Sequence, residues 1–154
     1  MLRLKGNYEI YEGGTIQGNK VINGKLVYSF HNIICTPVYN QLLNSLNGDA
    51  LADIEVSYFA FGTGTTAVTE GDTTLTTEVF RKIPTSKSWT GKVFTAIVQL
   101  ALAEANYSLT EVGLFAGGSI NADSGTLLSH ALKTITKNSN ITYNVLYTLT
   151  MEEN

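Results

Sequence analysis

Hydrophobic and polar residues alternate with a period of two over much of this chain, most cleanly near its C-terminal end. Between Asn140 and Met151, Ile141, Tyr143, Val145, Tyr147, Leu149 and Met151 are expected to face one way. Thr142, Asn144, Thr148 and Thr150 face the other, with Leu146 the exception. Such alternation marks a strand with one buried face. Phe94, Ala96, Val98, Leu100 and Leu102 repeat it in a strand over 92–102. Further strands are expected over 8–11, 20–22, 25–30, 55–61, 82–88, 110–115 and 126–136, and Asn140–Met151 is the last. Asn23–Gly24 lies between two of the early runs. Both residues tolerate positive φ, so the pair predicts a two-residue hairpin turn.

One segment breaks the period. Thr36 is the expected N-cap, Pro37 the first helical residue, and Gly48 the stop. Between them Tyr39, Leu42, Leu43 and Leu46 recur at three- and four-residue spacing, giving a single apolar stripe to lay on a sheet. Eight or nine strands and one helix predict a mainly β fold: an antiparallel β-sandwich with one short α-helix packed on it. The expected organisation is one domain over 1–154. It comprises an N-terminal hairpin region (1–35), the helix (36–48) and a β core (55–151).

Composition narrows the function. Of 154 residues, 44% are hydrophobic but only 15% charged, with Thr, Asn, Ser and Gly in place of ions. A neighbour can cover such a surface without desolvating many charges, which favours assembly. The net charge of −3 and the lack of any basic run beyond Arg81–Lys82 exclude a nucleic-acid binder. Met1–Gly6 lacks the apolar core of a signal peptide, and no apolar stretch approaches the ~20 residues that span a bilayer. The expectation is synthesis in the cytoplasm without membrane insertion. Cys35 is the single cysteine, read as a small semi-buried apolar residue.

The residues offer little chemistry. His31 and His130 both fall in predicted strands without metal-ligand spacing and are read as structural. Gly62–Thr63–Gly64 lacks the rest of a dinucleotide loop, and Gly91–Lys92 lacks the rest of a P-loop. Asn121–Gly125 reads as a hairpin turn. Glu78 and Glu111 stand out because each sits among apolar neighbours, where a carboxylate needs a cation or backbone N–H groups. Arg81 is the expected partner of either, in a structural ion pair. No catalytic residue, metal or cofactor is expected. Trp89, Tyr107 and Tyr11, near predicted turns, are the candidate aromatics for contacting a partner or stacking on a sugar.

Four segments follow one another in a familiar order: Ala60–Gly64, Leu75–Arg81, Leu109–Phe115 and Gly125–Ala131, ahead of the terminal strand. The succession resembles domains of bacteriophage tail-fibre, tail-collar and other tail-associated structural proteins. There a "GTG" turn is followed by an "EvfR" segment, a "tEvGLF" strand and a strand carrying "LlaRa". The likeness covers roughly 55–151, and His130 stands where that pattern has an arginine. It implies a non-enzymatic, multimeric virion component without a cofactor: a subunit of a tail, baseplate, collar or fibre-attachment assembly. Its expected partners are copies of itself and other phage tail proteins. The alternative is a module at the tail tip that binds a host surface glycan.

Overall fold

A computed structural model describes residues 2–49 and 54–153. In chain order the elements begin with β1 (Leu2–Glu12), β2 (Thr15–Gln17), β3 (Lys20–Ile22), β4 (Lys25–His31) and β5 (Ile33–Ile34). Next come α1 (Thr36–Asn47), β6 (Val56–Gly62), β7 (Glu78–Lys82), β8 (Ser86–Thr90) and β9 (Val93–Leu100). The last three are β10 (Ser108–Ala116), β11 (Thr126–Thr136) and β12 (Tyr143–Glu153). Two five-stranded antiparallel sheets form a sandwich, ordered β4-β1-β12-β9-β8 and β5-β11-β10-β6-β7, while β2 and β3 make a separate ribbon. The expected class, a β-sandwich with one short helix, is the class observed.

The core lies between the sheets. Tyr8, Val98 and Val145 from the first meet Phe61, Val112 and Leu114 from the second, all essentially inaccessible to solvent. The inward set on β12 is the alternating one read from the sequence, down to Tyr147. Within the core a polar contact bridges the layers: the Tyr8 hydroxyl lies 2.8 Å from Ser129 Oγ. The N-terminal region supplies two of the five strands of the first sheet, because β1 pairs with β12 from Leu2↔Glu153 to Glu12↔Tyr143.

The Asn23–Gly24 hairpin is corrected. β3 turns back onto β2, and β4 pairs with β1, so Asn23–Gly24 is a corner between two ribbons. Asn23 does adopt positive φ (58°), but Gly24 packs against Tyr11 Cβ and the Gly13 carbonyl rather than closing a turn. The strand expected over 82–88 is two strands in different sheets. β7 ends at Lys82 and β8 starts at Ser86, with exposed Ile83 and half-buried Pro84 in the crossing. Proline has no N–H for a ladder, so the break falls there. The strand expected over 92–102 stops at Leu100, and that expected from Asn140 starts at Tyr143.

The helix also departs from its expected seating. Cys35, not Thr36, is the N-cap, and the Thr36 N–H and hydroxyl both donate to the Glu70 carbonyl. Gly48 ends the helix as expected, at φ 76°. Buried Cys35 and half-buried Val38 fix the first turn to the sandwich. Beyond it the apolar stripe faces outward: Leu43 is 62% exposed and Leu46 79%. The periodicity was real, but among the described residues nothing covers that face.

Candidate functional site

The segments that stood out in the sequence meet around one carboxylate. Glu111 sits on β10 opposite Gly62 of β6, fully buried. Its Oε1 accepts the backbone N–H groups of Gly64 (3.0 Å) and Thr77 (2.7 Å). Its Oε2 accepts the N–H of Thr76 (3.0 Å) and faces His130 Nε2 at 2.8 Å. His130 Nδ1 lies 2.7 Å from Asp72 Oδ2, and Asp72 also takes the N–H and hydroxyl of Thr69. With a carboxylate oxygen at each ring nitrogen, both contacts become hydrogen bonds when both nitrogens carry protons. The polar stretch between Thr63 and Thr77 is thereby fastened to the sandwich at its two ends and at Asp72.

The two glycines of the Gly62–Thr63–Gly64 turn are dictated by that carboxylate. A Cβ on Gly62 would lie 2.5 Å from Glu111 Oε1, and one on Gly64 2.5 Å from the same oxygen and 2.3 Å from Thr76 Cβ. Burial pushes the Glu111 carboxyl up. The N–H groups of Thr77 and Thr76, His130 and the Gly64 N–H outweigh it and hold the group below its ordinary value. Asp72 is likewise lowered: partial burial is opposed by the two Thr69 bonds and His130. Lowered carboxyls stabilise the fold above the ordinary carboxylate range, and that stability is lost as pH falls through their folded-state values. The urea midpoint is therefore expected to drop as pH moves from neutral into the acid range. Glu111→Gln, which cannot titrate, should flatten the drop; an equally steep profile in the variant would place the acid sensitivity elsewhere.

Arg81, expected to serve Glu78 or Glu111, belongs to Glu78 alone. Both guanidinium edges are used: Nε and Nη2 bond the two Glu78 oxygens, the latter at 2.9 Å. Nη1 donates to the carbonyls of Ser119 (2.9 Å) and Ser124 (3.0 Å) in the β10–β11 turn. The guanidinium also lies over the rings of Phe115 and Tyr58, with centroids 4.6 and 5.1 Å away. Glu78 in turn accepts the Asp123 N–H at 2.9 Å. The pair is buried and holds the edge strand β7 to the turn at 117–125.

The three aromatics are not brought together. Tyr11 is on β1, half-buried, with its hydroxyl on Glu9 at 2.6 Å; burial and that carboxylate push its pKa up to about 12. Tyr107 is 46% exposed just ahead of β10. Trp89 is on β8, 76% exposed, at the rim of a cavity of about 300 Å³ that enters the sandwich between its sheets. Ile34, Val38, Phe94, Leu114, Leu128 and Leu149 form the wall. Apolar surface continues outward past Ile54, Leu42 and Met151, so the mouth merges with the bare face of α1. At its rim the Lys87 ammonium is bound to Glu55 (2.6 Å) and to the Val56 carbonyl (3.0 Å).

Sequence reasoning missed Asp72 and His130 as members of the Glu111 cluster. His130 is 19 residues from Glu111 and 58 from Asp72, so only the strand pairing joins them. The visible signal was a carboxylate among apolar residues, which announces a partner without naming it. Cys35, at a helix start where a thiol can be activated, is instead fully buried. Burial, with Asp72 and Glu70 nearby, pushes it up to about 12. His31 is exposed at the end of β4. Among the described residues no cluster of His, Cys, Asp or Glu could hold a metal ion, and no helix is long and apolar enough to cross a membrane. Comparison of the chain with protein-family models, with curated proteins and with solved structures finds no match.

Proposed function

We propose that this chain is a non-enzymatic assembly subunit of a bacteriophage tail or related particle, in a baseplate, collar or fibre-attachment position. The observation that carries the reading is the uncovered apolar surface at one end of the sandwich. Leu42, Leu43 and Leu46 of α1, then Ile54, Trp89 and Met151, are all exposed beside a cavity walled by core residues. Contiguous apolar surface rimmed by polar residues marks a place where another molecule sits. The side chains with chemical potential are spent internally: Glu78, Arg81 and Glu111 each bond loop backbone or one another, as expected of parts that hold a shape. The particle class comes from the resemblance of the four segments converging on Glu111 and Arg81.

Light scattering over a tenfold concentration range tests it. The expected result is one oligomeric mass that stays constant; a monomer at every concentration would remove self-assembly from the reading. The exposure of Trp89 favours a second reading, in which the particle tip binds a host glycan through a stacked indole. Glycan-array binding lost in Trp89→Ala is its signature, and a blank array against host polysaccharides ends it.

A further inference from the structure

We infer that β8 is a self-complementary edge through which two copies of this chain join, extending the first sheet across a two-fold axis at Ser88. The inference rests on the assembly reading above and names its contact. β8 is the last strand of its sheet, paired on one side with β9 from Ser86↔Ile97 to Thr90↔Val93. Thr90 and Val93 close a two-residue turn, Gly91–Lys92, so they form a hydrogen-bonded pair and the ladder alternates from there. Ser86, Ser88 and Thr90 thus address their backbone groups to β9. Lys87 and Trp89 direct their N–H and C=O groups away from it, toward the open edge.

The five residues Ser86–Thr90 suit a second copy of themselves. With an antiparallel neighbour centred on Ser88, Ser88 faces Ser88, Lys87 faces Trp89 of the other copy, and Ser86 faces Thr90. Both outward-directed residues then meet outward-directed residues, giving two hydrogen-bonded pairs. No like charges stand opposite one another, which would be unfavourable. Instead, each ammonium lies beside an indole face, an attractive arrangement. Moving the axis to Lys87 would oppose the two lysines; moving it to Trp89 would run the pairing into the Gly91 turn.

The side chains agree with this register. Lys87 reaches Val56 at the start of β6 in the second sheet and Glu55 just before it, so it and Trp89 point to the inner face. A large indole on an inner face belongs under cover, yet Trp89 is 76% exposed. The Glu55 carboxylate has already neutralised Lys87, so joining two edges brings no unpaired charge into the contact. A lysine on the inner face of an edge strand commonly guards against such joining; here its pairing with Glu55 removes that barrier.

Cysteine cross-linking reads the register directly. In the proposed pairing the two Ser88 residues form a non-hydrogen-bonded pair with Cα atoms about 4.5 Å apart, within the range a disulfide spans. Under mild oxidation, full-length Ser88→Cys is expected to give a disulfide-linked dimer that reductant separates. Ser86→Cys, facing Thr90, and the parent chain, whose only cysteine is buried, should stay uncrosslinked. Trp89 is the sole tryptophan, so the unmodified chain supplies an independent reading. Its emission should move to shorter wavelength as concentration rises through the dimer transition. If the chain is oligomeric but Ser88→Cys links no more than Ser86→Cys and the emission stays fixed, the β8 edge is overturned and the assembly reading stands. If the chain is monomeric and no variant links, the β8 edge is overturned and self-assembly leaves the reading with it.

Discussion

Arg81→Ala is expected to lower the free energy of unfolding by about 3–5 kcal/mol, the cost of removing one member of a buried ion pair. The loss has three parts. Glu78 is left inaccessible and without its cation, keeping the Asp123 N–H as a donor. The Ser119 and Ser124 carbonyls lose a charged donor, and Phe115 and Tyr58 lose the flat group packed on them. For a domain of this size each kcal/mol moves the thermal midpoint by about 2–4 °C, so a scanning calorimetry trace should shift by roughly 10 °C. Arg81→Lys should recover only part of that, because an ammonium cannot bond both Glu78 oxygens and both carbonyls at once. Full recovery by lysine would mean that charge alone matters there and that the fork geometry is incidental.

Glu111→Ala should be of similar size but spread differently through the molecule. Three backbone donors, on Gly64, Thr76 and Thr77, lose their acceptor together with the His130 ring. A buried donor left unmet, such as that of Gly64, costs about 1–3 kcal/mol, and the part-buried donors of Thr76 and Thr77 cost less because water can reach them. Hydrogen exchange should show where the loss goes: the Gly64, Thr76 and Thr77 amides exchange much faster, while those of β9 and β12 change only with global stability. Uniform acceleration over both sheets would mean that the 63–77 segment does not open on its own. Glu111→Gln keeps the size and an acceptor, so it should lie between the alanine variant and the parent.

The two variants bear on how far the fold could be read beforehand. The alternation in β12 and β9 was legible because one face of each strand enters the core, although Asn144, Leu146, Thr95 and Ile97 on the other face are buried too. The strand expected over 82–88 left out most of β7 and ran across Pro84, whose missing N–H was itself the mark of a break; a change of sheet leaves no period to detect. The apolar stripe of α1 was correctly found and wrongly assigned. Periodicity shows that a face is apolar, whereas only the tertiary arrangement says whether anything lies against it. At Glu78 and Arg81 the partners are three residues apart on one strand, close enough for local sequence to pair them. At Glu111 the partners arrive from a loop and from the neighbouring strand, and the buried histidine among them carries no mark of its own.

The pairing of β1 with β12 has a consequence for how the chain reaches this state. Leu2 lies opposite Glu153, so this pair of strands joins residues very far apart in sequence. On a ribosome that sheet cannot close until β12 has emerged. The second sheet is largely ready sooner, since β6, β7, β10 and β11 lie between residues 56 and 136. In the interval β9 lacks one neighbour and β1 waits beside β4 with its other edge bare. Contacts so distant in sequence place refolding on the order of milliseconds to seconds. Shortening the chain from its C-terminal end through β12 should therefore leave β1 and β9 as open edges, a state prone to aggregation rather than a smaller stable domain.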